Sequence, residues 1–143
     1  MHSQAHDVSA PSLLEALRTG TVLLHVALEK RLPFFSDQLD AGGYRRLLQA
    51  YYGFYGPMEA ALYASGLIPD GYDAVLRVKT PTLLGDLRAL GLNDNAINAL
   101  PRCTEHPTFD TPAACLGALY VLEGATLGGQ VPVSYTHLRA HET

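Results

Sequence analysis

Apolar residues recur along this chain at intervals of three and four, and nowhere alternate with period two between hairpin signals. The pattern predicts helices throughout. Ser12 or its neighbours open the first, which runs to about Arg31 with Leu13, Leu17, Leu24 and Leu28 as its apolar stripe, and Pro33 ends it. Asp40 suits the N-cap of a second helix, whose inner face reads Tyr44, Leu47, Leu48, Tyr51, Tyr55, Met58 and Leu62. Gly53, Gly56 and Pro57 are expected to bend it. The tyrosine stripe reads as core packing. A turn region spans Gly66 to Gly71, Thr80-Pro81 or Thr82 opens a short helix over Leu83–Leu90 closed by Gly91, and residues 93–100 form another before Pro101. The expected fold class is all-α.

The last long periodic stretch, from Thr111 to Gln130, has an unusual composition. Thr111 is a good N-cap and Pro112 suits the first helical position. Gly117, Gly124 and Gly128 then follow on one face of a 3.6-residue helix. Each interior glycine costs roughly 1 kcal/mol relative to alanine. Gly129 adds to the sum. A stretch that tolerates this must bring something close to its bare backbone, either a flat ligand or a neighbouring helix.

Composition narrows the classes. At 143 residues, 48% apolar and 17% charged, the chain is long and apolar enough for one domain with a core. A net charge of −4 with no basic run argues against nucleic acid. Cys103 and Cys115 form no CxxC and read as reduced thiols. Residues 1–11 lack an apolar signal core and no run reaches membrane-spanning length, so a cytoplasmic protein without a membrane partner is expected.

His25 lies beside the first helix's apolar stripe, on a face shared with Leu14, Arg18, Thr21, Glu29 and Leu32. Taken alone, His25 and Glu29 are a solvated i, i+4 pair worth tenths of a kcal/mol. A functional reading makes Glu29 the carboxylate that orients a ligating imidazole, with Arg18 facing an anionic edge of the same ligand. One histidine is too few for a zinc site but sufficient for an iron already carried by a porphyrin. One histidine and one glycine-faced helix therefore fit a heme sandwich better than a bare metal site.

Four segments together resemble the heme oxygenase family, especially its bacteriophytochrome-associated bacterial branch. They are Leu17–Glu29 (LRTGTVLLHVALE), Tyr44–Tyr55 (YRRLLQAYYGFY), Leu100–Cys103 (LPRC) and Leu116–Gln130 (LGALYVLEGATLGGQ). The resemblance implies a multi-helical bundle with heme (haem, iron protoporphyrin IX) between the first helix and the glycine-rich distal helix. It implies His25 as the iron ligand, Glu29 as its hydrogen-bond partner, and Arg18 near a propionate, with Thr21 on the same cofactor-binding face. It places Gly124, Gly128 and Gly129 on the opposite side of the heme, with Gly124 and Gly128 leaving room for dioxygen. The implied reaction opens heme to biliverdin, iron and carbon monoxide. It uses dioxygen and electrons from a ferredoxin or flavin reductase, and a bacteriophytochrome is the implied receiver of the biliverdin.

The chain departs from the family at two places. Many members carry an aspartate after the first distal glycine, where this chain has Ala125. The family also continues with further helices, whereas Val133 to Thr143 resembles translated sequencing-adapter read-through. The expected organisation is a flexible tail over 1–11, a domain incomplete at its C-terminus over 12–131, and a non-native tail over 132–143. His137 and His141, at i, i+4 in that tail, read as accidental rather than as half a metal site.

Three other readings compete. A heme- or bilin-binding member of the same fold would use the same His25 and glycines without turnover. In a histidine phosphotransfer bundle, Glu29 would repel the phosphoryl group one turn from His25. In a purely structural bundle, Gly124-x-x-x-Gly128 would let two helices approach closely.

Overall fold

The computed structural model of the chain describes residues 9–32 and 39–125. Gly128, Gly129, His137, His141, Pro33 and the C-terminal string discussed above lie outside the described residues. All regular structure among the described residues is helical, with no strand. The helices are α1 (Leu13–Arg31), α2 (Ala41–Ala64), α3 (Ala74–Arg77), α4 (Thr80–Ala89), α5 (Asp94–Asn98) and α6, described over residues 112–125. They fall into two compact units, Met1–Ser36 and Asp37–Thr143.

In the first unit, α1 starts where the sequence predicts. Ser12 Oγ accepts from the Glu15 N–H at 3.2 Å, and the Ser12 N–H donates to the Glu15 carboxylate at 2.8 Å. This reciprocal capping box satisfies two donors that a helix start leaves open. Lys30 and Arg31 occupy the last turn, where cations complement the helix dipole. The leucine stripe forms, but no residue of α1 is buried. The reason is geometric: among the described residues of this unit there is no second helix to cover it.

In the second unit, α2 is the central element. Asp40 caps it, accepting from the Gly43 N–H at 2.7 Å. Its buried face is Leu48, Tyr52, Gly53, Tyr55, Glu59 and Leu62. This differs from the predicted face at both ends of the polarity scale. Tyr44, one turn from the helix start, is exposed, and Tyr52 and the charged Glu59 are inside. The core is completed by Leu83 and Leu87 of α4, Ile97 of α5, Phe109, and Cys115, Leu119 and Leu122 of α6.

Glu59 is buried because it does a helix cap's work from another helix. Its carboxylate accepts the Lys79 N–H at 2.8 Å, the Thr80 N–H at 2.8 Å and the Thr80 hydroxyl at 2.5 Å. Lys79, the N-cap residue of α4, makes no side-chain cap of its own. A negative charge at a helix N-terminus with donors aimed at it is favourable, and each bond offsets the cost of burial. At its other end α4 closes at Gly91, whose φ of +92° suits glycine.

Two quoted segments meet at Gly53. Pro57, inside α2, has no N–H to give the Gly53 carbonyl four residues earlier. The Cys103 N–H takes that place, donating to the Gly53 oxygen at 2.8 Å. The strand of loop that delivers it passes so close that a Cβ on residue 53 would lie 2.3 Å from the Pro101 carbonyl oxygen. Arg102 then lies over the Tyr52 ring at 4.7 Å and donates to its hydroxyl at 3.3 Å. Gly53 and Pro57 thus work as one device that docks the loop onto α2.

Candidate functional site

The start of α6 follows from Thr111, whose hydroxyl accepts from the Ala114 N–H at 3.1 Å and whose carbonyl accepts from Cys115. Cys115, Leu119 and Leu122 form a buried stripe at i, i+4 and i+7. At 100° per residue, Gly117 and Gly124 fall on the opposite side. Both are exposed, and a Cβ at either would meet no described atom of the unit within 4 Å. Among the described residues of its own unit the glycine face is therefore open backbone, with no described helix packed on it.

The two flanks of α6 differ. One borders an apolar groove of about 250 Å³, lined by Met58, Pro107, Ala114, Gly117, Ala118 and Val121 among others. The other carries Glu123. One of its carboxylate oxygens accepts from the Tyr72 hydroxyl at 3.3 Å, and the second pairs with Arg77 at 3.1 Å. The Arg77 guanidinium lies 5.6 Å from the centre of the Tyr72 ring. Partial burial, with Tyr63 and Glu123 nearby, pushes the Tyr72 phenol up to about 12, against the opposing pull of Arg77. Burial and then Glu59 likewise raise Tyr63. Both phenols are thus neutral at ordinary pH and able to donate.

On α1, Arg18, Thr21, His25 and Glu29 share one exposed face, as their spacing requires. The Thr21 hydroxyl donates back to the Leu17 carbonyl at 2.9 Å. His25 and Glu29, although one turn apart, form neither a hydrogen bond nor an ion pair with each other among the described residues. Among the described residues the imidazole has no hydrogen-bond or ion-pair partner. Among the described residues no group of three or more His, Cys, Asp or Glu side chains is placed to hold a metal ion.

Some features of this region were not legible in the sequence. Glu123 sits inside one of the quoted segments, but its partners Tyr72 and Arg77 are far away in the chain. Only the polar position on an otherwise apolar helix hinted that something must meet it. No described helix is long and apolar enough to cross a membrane.

Comparison with known proteins adds one finding. No curated relative and no solved structure matches the chain. The family description Heme oxygenase matches residues 11–134. That span takes in α1, the Gly53 docking loop and the glycine face of α6 alike, and the helical architecture agrees with it. The chain belongs to the heme oxygenase family.

Proposed function

We propose that this protein binds heme and opens it oxidatively to biliverdin, iron and carbon monoxide. The observation that carries the reading is the family match over residues 11–134, which spans every residue assigned below. Among the described residues His25 has no hydrogen-bond or ion-pair partner and a Cβ at Gly124 would meet nothing, and both support it. Bound heme supplies the redox-active iron and is itself the molecule opened.

The protein's part is to hold and to orient. His25 would hold the iron through one ring nitrogen, and Glu29 would accept a hydrogen bond from the other. Arg18 pairs with a propionate, and Thr21 borders the same face. Gly124, with Gly128 and Gly129 assigned to the same role, would offer the ligand a backbone free of side chains. Ala125 offers no carboxyl, so an ordered water held by backbone groups is the proposed proton source there. Dioxygen, electrons from a ferredoxin or flavin reductase, and a bacteriophytochrome as receiver complete the proposal, set in the cytoplasm.

The test is a single-turnover assay. The chain is incubated with hemin and ascorbate under air, and the product spectrum is followed. Conversion to biliverdin is expected, with conversion lost in Gly124→Leu at unchanged helical content. A heme complex that never yields biliverdin would instead support a non-catalytic heme binder, the reading that Ala125 favours. Normal conversion in Gly124→Leu would contradict the assignment of the open face.

A further inference from the structure

The glycine face of α6 can serve as one wall of a heme site only if the helix does not roll about its axis. The buried stripe of Cys115, Leu119 and Leu122 gives non-directional packing, which resists separation better than rotation. On one flank the apolar groove beside Met58 and Pro107 leaves room into which α6 can turn. On the other flank the only charged side chain of the described helix is Glu123, the residue immediately before Gly124. Its two oxygens are used separately, one by Tyr72 and one by Arg77, and the Arg77 guanidinium lies over the Tyr72 ring. Such a two-point, charge-assisted attachment is directional in the way that apolar packing is not.

We propose that Glu123, gripped by Tyr72 and Arg77, is a positioning residue that sets the rotation of α6 and so the placement of the Gly124 backbone toward the heme. The inference rests on the heme reading above for its ligand, and on the observed cluster alone for the pinning. Glu123 touches no reacting atom. Its effect passes through one turn of helix to the residue beside it. A displacement on the ångström scale at such a site costs on the order of a hundredfold in rate.

The experiment compares wild type, Glu123→Ala, Glu123→Gln and the charge exchange Glu123→Arg with Arg77→Glu. Amide hydrogen exchange is read over residues 118–125 in the heme-free protein. Soret titration and turnover of added hemin are read in parallel. Glu123→Ala should exchange at least tenfold faster at those amides, bind heme within a few-fold of wild type, and lose roughly ten- to a hundredfold in turnover. Glu123→Gln should fall between, and the charge exchange should recover both readouts. Unchanged exchange and turnover in Glu123→Ala would overturn the inference while leaving the heme reading intact. If wild type binds no heme, the heme reading and the positioning role fall together, and faster exchange then describes a structural clamp only. Should Glu123→Ala not fold, the exchanged pair carries the test: its failure to recover native exchange in a folded protein overturns the proposal.

Discussion

The phenol of Tyr72 shows how much a single group reports on its surroundings. Its pKa, pushed up to about 12 from 10, means that the folded chain keeps a proton which the unfolded chain gives up first. Below pH 10 both states are protonated and the contribution is whole. Between about 10 and 12 the unfolded state is favoured progressively, so stability should fall as pH rises through that window. Thermal midpoints measured from pH 9 to 12 should show the fall, and Tyr72→Phe should flatten it; an identical slope in the variant would contradict the assignment. Gly53 makes a steric claim of the same kind. A Cβ there would lie 2.3 Å from the Pro101 carbonyl, and backbone cannot swing aside as a side chain can. Gly53→Ala should cost about 1–3 kcal/mol in denaturant unfolding. By contrast, alanine at the open Gly124 should be tolerated by the fold, or raise stability by up to about 1 kcal/mol.

At the scale of elements, starts and stops were the most legible part of the sequence. Ser12, Asp40 and Thr111 cap the helices they were expected to cap, and Gly91 closes α4 in the left-handed region. Each is a local device, so local sequence suffices to read it. The face of α2 was read less well because burial is settled by partners. Glu59 is absent from the predicted face because the Lys79 and Thr80 donors that hold it inside lie 20 and 21 residues on. α3 was missed altogether, since a single turn has no periodicity to detect. The α2–α4 bond network yields a test. Glu59→Ala would leave those N–H groups without their acceptor and should cost about 1–3 kcal/mol, with Glu59→Gln less damaging. Equal urea midpoints for Glu59→Ala and wild type would show that the cap is dispensable.

At the scale of the whole molecule, the family was legible before the structure because four separated segments pointed the same way. The site was legible only in part. Spacing put Arg18, Thr21, His25 and Glu29 on one face, and glycines on another helix, and the structure describes each face within its own unit. Gly128 and Gly129 fall outside the described residues. The contacts of Glu123 are not legible in the sequence, because nothing there pairs it with Tyr72, ahead of α3, or with Arg77 of α3. One histidine on α1, His25, is proposed to make this chain a heme protein. The most direct measurement is a hemin titration of the full chain followed by absorption, beside the same titration of His25→Ala. The account predicts a saturable one-to-one Soret band for the parent chain and its loss, or a shift to the spectrum of loosely held hemin, in the variant. A Soret band and stoichiometry unchanged by His25→Ala would contradict it.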